Sequence, residues 1–394
     1  MARQRNNTFK TYIVLIMLCA PPLSLFLQLF HLTSDKFSSQ LPPNNFPLPT
    51  EYNHADRPPL ETILTQKGEV IGDPSFLLDF AIVGFPKCGT TALQDWLSHH
   101  PQVQLLPGER FPLMNRKPYL LIWKLYTQLP ADDPTIHYVR GYKNPLDIRV
   151  PPSMQYLSKL FPRTLLMVGL RHPVLWFESL YNFKVQNLPP QVDPSIWGDP
   201  NTLIDQCEDW KDPHCVGTAK GWFHVYLAAL GKVPFPKEWR KEYPRYLENV
   251  SLATPVPNPI FLYETNQLKF ERDDEGGVTS SLLTLNSTKK HNYSQQFRQD
   301  LQSLLHLDTP LDMEMSRAKP DMNHFNPRQQ RRKDRYKIRI CDDQYAPLRI
   351  SLLDIARRTS EWIRNEFLQS PDVVVSSPEY FRTLMGQWML DPCQ

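Results

Sequence analysis

The stretch FLLDFAIVGFPKCGTTALQDWL, residues 76–97, constrains the fold more than any other part of the chain. A nearly unbroken apolar run ends at Gly84, a short loop carries Gly89, and Leu93, Trp96 and Leu97 then recur at helical spacing. Such a run suits a strand buried on both faces of a parallel sheet. A strand-loop-helix turn presents free backbone N–H groups and the positive end of a helix dipole, which together favour an anion. Thr90 and Thr91 add hydroxyl donors at the helix start. The same Gly-Thr-Thr also serves, in many helices, as a plain N-terminal cap.

The loop is not of the ATP type. There the order is G-x-x-x-x-G-K-[ST], with the Ser or Thr on magnesium. Here Thr90 stands where that lysine would be, and Lys87 precedes Gly89. No acid follows a strand in the position of a magnesium-holding partner. Charge compensation therefore falls to Lys87, and no metal is required.

Further apolar runs predict strands at VQLL (103–106), RTLLMVGLRHP (163–173) and NPIFLYE (258–264), with a helix over VLWFESLYNF (174–183). Strands alternating with helices predict an α/β domain: a central, mostly parallel sheet flanked by helices, with the phosphate-type loop after its first strand. Residues 186–217 and 271–296 read as long irregular stretches, the second as an exposed insertion. Residues 342–368 read as helical, with Leu348, Leu352, Ile355, Trp362 and Phe367 facing inward.

A second constellation lies in LRHPVLWFESLYNF. Arg171 ends a strand and Ser179 follows eight residues later inside the next helix. A guanidinium and a hydroxyl flanking a helix start suit a second phosphate. Taken alone, such a pair is equally a surface arginine and a solvated serine.

The N-terminus sets the compartment. Arg3, Arg5 and Lys10 precede about 20 uncharged residues, long enough to cross a bilayer as a helix. The positive flank should remain cytoplasmic, with the rest of the chain lumenal. The expected organisation is a cytoplasmic tail (1–10), a signal-anchor helix (11–32), a proline-rich lumenal stem (33–75) and a catalytic domain (76–394). A cleaved signal peptide is the alternative; either routes the chain into the secretory pathway. The sequons at Asn249, Asn286 and Asn292 agree with a lumenal domain.

A net charge of +3 gives no general attraction to nucleic acid. The densest basic run, NPRQQRRKDRYKIR (326–339), is either a solvated face or a strip for an anion. Six cysteines are too few for a disulfide scaffold. Cys207 and Cys215 form a local disulfide if the compartment is oxidising; otherwise these two, with Cys341 and Cys393, stay unpaired. No cluster of histidine, cysteine or carboxylate has metal-ligand spacing.

GFPKCGTTAL and LRHPVLWFESLY, about 80 residues apart and in this order, together resemble the sulfotransferase superfamily that uses 3′-phosphoadenosine 5′-phosphosulfate (PAPS). The anchor, stem and sequons are similar to its Golgi members acting on carbohydrates. The resemblance implies that Lys87 stabilises the departing phosphate, and that Lys87, Cys88, Gly89, Thr90 and Thr91 hold the 5′-phosphosulfate. It implies that Arg171 and Ser179 hold the 3′-phosphate. PAPS would be the co-substrate, and a glycan or proteoglycan the acceptor. The resemblance also implies that Glu109, in LLPGERFPL, is the catalytic base. Gly108 stands where the family has a lysine, and Phe111 lies one place early. His99, His100, His172, His214 and His224 are the competing bases, each ranked below Glu109. A nucleotide kinase and a catalytically silent glycan-binding relative are the alternative functions.

Overall fold

In the computed structural model, the described residues are 57–109, 111–129, 136–187, 200, 222–242, 254–268, 287–311, 334 and 336–394. They form a six-stranded sheet in the order β2-β3-β1-β4-β5-β6, and every pairing is parallel. The strands are β1 (Phe80–Gly84), β2 (Val103–Glu109), β3 (Val139–Lys143), β4 (Leu165–Leu170), β5 (Ile260–Glu264) and β6 (Val373–Val375). Helices α1 (Thr90–Leu97), α2 (Pro118–Gln128), α3 (Pro151–Leu160) and α4 (Pro173–Gln186) follow the first four strands in turn. Then come α5 (Trp222–Ala229), α6 (Lys237–Glu242), α7 (Ser287–Leu304), α8 (Ala346–Asn365) and α9 (Pro378–Gln387). The α/β architecture predicted from the alternation of apolar runs is present.

Strand β1 shows why its sequence is apolar throughout. Successive side chains point to opposite faces, and both faces are covered. Ala81 and Val83 join the larger core, beneath α4 and α8. Phe80 and Ile82 join a second core with Leu93, Trp96 and Leu97 of α1 and Phe297 and Leu301 of α7. Trp96 stacks on Phe297 with ring centroids 6.3 Å apart, and Phe261 lies 5.6 Å from the same ring. Residues 287–296, expected as part of an exposed insertion, are therefore helical; the apolar Phe297, Leu301 and Leu305 drive the packing.

Strand β3, VRGYK, escapes detection from sequence because it carries two charges and a glycine, yet all five residues are buried. Gly141 is required there: a Cβ would come within 2.3 Å of the Phe80 ring on the neighbouring strand. Residues 57–75, assigned from sequence to the stem, are folded onto the domain. Leu60, Ile63 and Leu64, at the i, i+3, i+4 spacing of one turn, are buried in the larger core, and the Tyr126 hydroxyl donates to the Pro58 carbonyl at 3.1 Å. The prolines in this stretch masked that short apolar face. The anchor expected at 11–32 lies outside the described residues, among which no helix is long and apolar enough to cross a membrane.

Cys341 and Cys393, unpaired only in the alternative to a Cys207–Cys215 bridge, form a disulfide between residues 52 apart. Pairing depends on spatial approach, which neither local spacing nor composition carries. Cys207 and Cys215 lie outside the described residues, as do Asn249 and Asn286; Asn292 falls within α7. The inward positions expected for residues 342–368 are buried: Leu348, Leu352, Ile355 and Trp362 on α8, and Phe367 just beyond it.

Candidate active site

The strand order reverses direction at β1: the chain first builds β2 and β3 on one side, then β4, β5 and β6 on the other. In open parallel sheets, ligands bind outside the carboxyl ends of the strands at such a switch point. Four charged side chains lie at those ends. Lys87 follows β1, Glu109 ends β2, Lys143 ends β3 and Arg171 follows β4.

The loop after β1 is held by its surroundings. Gly89 has φ 76° and caps α1, with no side chain capping the helix start. A Cβ at Gly89 would meet Leu268 at 2.6 Å, so glycine satisfies both the left-handed backbone and the close approach. The first N–H groups of α1 thus point into the loop without a side-chain partner of the capping kind. Lys87 also has positive φ, 66°, a conformation that costs a non-glycine residue energy and persists where its surroundings impose it.

Two of the restraints on the loop come from the β4–α4 segment. The Arg171 guanidinium donates to the Lys87 carbonyl at 3.3 Å. The Trp176 indole N–H donates to the Pro86 carbonyl at 2.9 Å. Phe183, two turns beyond Trp176 on α4, carries the Lys87 ammonium 4.5 Å above its ring. Residues 176 and 183 are i and i+7, so both lie on the face of α4 turned toward the loop. Ser179, three residues after Trp176 and four before Phe183, shares that face. Arg171, Ser179 and the Lys87 loop are thereby gathered at one place.

Glu109 enters from the other side. Its carboxylate lies 3.1 Å from the Lys143 ammonium, and that ammonium donates to the Thr91 hydroxyl at 2.7 Å. The side chain of Lys143 is 2% exposed, whereas that of Glu109 is 41% exposed. A buried cation thus joins the first turn of α1 to an accessible carboxylate. Gln94 of α1 braces the same corner, its amide reaching the carbonyls of Leu106 and Gly108. Lys143 was not identified from sequence. The signal available was a lysine ending a strand just before the Asn-Pro turn formers of KNPLD.

The electrostatics follow from this crowding. Burial and then the Arg171 guanidinium push the Lys87 ammonium below its usual pKa, with Lys143 adding a little; Glu109 and Cys88 oppose them. Three cations face one carboxylate, and an anion among them would relieve the repulsion. Among the described residues, no group of histidine, cysteine and carboxylate side chains is arranged to hold a metal.

The Cys88 thiol is buried in the larger core, and the Cys88 N–H donates to the Phe85 carbonyl at 3.2 Å, so it packs the loop. Thr90 is buried, whereas Thr91 is exposed and bonded to Lys143. Four of the competing histidines are described, and each bonds another part of the fold. His172 caps α4, its Nδ1 accepting from the Val174 N–H while Nε2 donates to the Leu390 carbonyl. Burial lowers its pKa to about 4. His224 is fully buried against Thr359 and Trp239; burial and then Arg358 lower its pKa to about 3. His99 bonds the Asp95 carbonyl and His100 bonds Thr309. His214 lies outside the described residues.

The end of the basic run docks on the far side of α4. Asn182 exchanges hydrogen bonds with the N–H and C=O of Ile338 at 2.8 and 2.9 Å, and Glu178 accepts from the Ile340 N–H at 2.8 Å. The Cys341–Cys393 disulfide then ties this segment to the chain end that meets His172. Arg328, Arg331, Arg332, Lys333 and Arg335 lie outside the described residues.

No protein-family profile matches the chain, and no curated protein does. Among solved structures, a sulfotransferase from Alicyclobacillus acidocaldarius aligns at 16% identity over 71% of this chain and 95% of that chain, with a TM-score of 0.31. A likeness that slight carries no argument about activity.

Proposed function

We propose that the chain is a PAPS-dependent sulfotransferase acting on a hydroxyl or amine of a glycan in the Golgi lumen, attached to the membrane by its N-terminal segment. The observation that carries this reading is the convergence of the Lys87 loop with Arg171 and the Ser179 face of α4, opposite Glu109. A donor phosphorylated at both the 3′ and 5′ positions needs two anion sites of this kind. The uncapped start of α1 and the unbalanced cations fit the 5′ end; Arg171 and Ser179 fit the 3′ phosphate. PAPS supplies the activated sulfuryl group.

The protein's own part is positioning and charge. Sulfuryl transfer resembles phosphoryl transfer in needing an in-line acceptor and a neutralised leaving group. Lys87 stands where negative charge develops on the leaving phosphate, and the N–H groups of Gly89, Thr90 and Thr91 share that load. Glu109, whose side chain is open to solvent, removes the acceptor proton. Lys143 holds the Glu109 carboxylate in place and couples it to Thr91. The Cys341–Cys393 bridge supports the lumenal assignment, since disulfides persist in oxidising compartments.

Transfer of labelled sulfate from PAPS to a panel of glycans tests the reading, with Lys87→Ala as the control. Transfer that disappears in the control supports it. Tight 3′,5′-ADP binding without transfer to any glycan would instead mark a silent glycan-binding relative.

A further inference from the structure

We propose that Phe183 is a positioning residue for Lys87: its exposed ring seats the ammonium at the mouth of the loop and so orders it before a donor arrives. The importance of Lys87 rests on the sulfotransferase reading; the ring contact does not.

Lysine is a flexible four-carbon stem with a point charge, and left free it gives up substantial rotamer entropy on each engagement. Here its backbone is already fixed. Arg171 holds the Lys87 carbonyl and Trp176 holds the Pro86 carbonyl. The ammonium itself is under opposing pulls. Arg171 and Lys143 repel it, Glu109 attracts it, and water competes for it. Without a seat, repulsion would swing it away from Arg171 and Lys143. The Phe183 ring supplies that seat at 4.5 Å, inside the range of a cation–π contact. Phe183 is 44% exposed, too open to be a core residue, and lies on the same face of α4 as Trp176 and Ser179. A single helix face thus carries the anchor for the loop backbone, the candidate 3′-phosphate hydroxyl and the seat for the lysine.

Because the ring is largely exposed, its replacement should leave the fold intact. The test is competitive acetylation of the full chain with acetic anhydride at fixed pH, with labelling at Lys87 read by peptide mass spectrometry. The proteins compared are wild type, Phe183→Leu and Phe183→Trp. The leucine variant keeps apolar bulk but has no π face; tryptophan has a stronger one. Labelling at Lys87 should rise about two- to fivefold in Phe183→Leu, the factor matching an exposed cation–π contact, and return to the wild-type rate or below in Phe183→Trp. Equal labelling in all three, or an equal rise in both variants, would overturn the proposal. A second arm repeats the labelling with saturating 3′,5′-ADP. Protection of Lys87 in all three proteins supports the donor reading. Its absence removes that reading, while the nucleotide-free comparison still decides the ring contact.

Discussion

The Arg171 guanidinium and the Lys87 carbonyl are joined by a hydrogen bond of 3.3 Å across 84 residues of sequence. Arg171 thereby has two tasks, holding the loop and offering charge. Arg171→Ala should weaken 3′,5′-ADP binding by more than Ser179→Ala does, because it loses the loop restraint as well as a charge-assisted contact. Arg171→Lys should restore little, since a lysine lacks the planar fork that spans a carbonyl and a phosphate. Calorimetry on the three variants checks the order; equal losses in Arg171→Ala and Ser179→Ala would contradict it.

On the proposed reading, the Glu109–Lys143–Thr91 chain separates chemistry from binding. Glu109→Gln should reduce sulfate transfer by about 10²–10⁴-fold, the usual range for a lost general base, while nucleotide affinity stays near wild type. Lys143→Met should impair both, because the lysine bonds the start of α1 as well as the carboxylate. The check is single-turnover transfer beside nucleotide titration. Unimpaired transfer in Glu109→Gln would assign the base elsewhere.

Lys87 gives the proposed donor site a pH dependence. Its pKa is lowered by burial and by Arg171, so its charge is lost at a lower pH than for a free lysine. An anion binds the charged form better. Affinity for 3′,5′-ADP should therefore fall on the alkaline side, starting below the ordinary lysine range, and Lys87→Met should flatten that limb. Titrations across the alkaline range read this directly.

His172 makes stability pH-dependent in the acid range. Its folded pKa is about 4, below the value of about 6.5 for an unfolded histidine. The unfolded chain then takes up the proton first, and stability falls as pH drops from about 6.5 toward 4, by up to about 1.4 kcal/mol per pH unit. Asp147 acts in the opposite sense: burial raises its pKa to about 7, so it destabilises increasingly as pH rises from about 4 to 7. His172→Asn retains a capping acceptor and removes the titration. The difference between wild type and this variant, measured by denaturant unfolding at several pH values, cancels Asp147 and should narrow as pH falls.

The Cys341–Cys393 bridge closes a loop of 52 residues. Chain entropy assigns such a bridge about 4 kcal/mol, with engineered cases often delivering less. Cys393→Ser should lower stability by roughly 2–4 kcal/mol. Amide exchange should also quicken at Ile338 and Ile340, whose N–H groups bond α4. Unchanged exchange there would show that Asn182 and Glu178 suffice without the bridge.

The central strands were legible because burial on both faces leaves no polar residue in them, as in FAIVG and LLMVGL. Strand β3 was not, because Arg140, Gly141 and Lys143 disguise it. Arg140 and Lys143 are charges buried for a local partner or for the site, and Gly141 makes room for Phe80. The same disguise hid Lys143 as a candidate site residue, whereas Lys87, Arg171, Ser179 and Glu109 stood in recognisable local patterns. The burial of the Cys88 thiol follows from the path of the chain, which sequence spacing does not specify. The disulfide and the Phe183 seat are both contacts between distant segments, and no periodicity within one segment encodes them.

Isothermal titration of the protein with 3′,5′-ADP and with ATP, each with and without magnesium, tests the two-phosphate site most directly. Tight 3′,5′-ADP binding that is indifferent to magnesium and weakened in both Lys87→Met and Arg171→Ala is the predicted result. Magnesium-dependent ATP binding with no response to 3′,5′-ADP would contradict it.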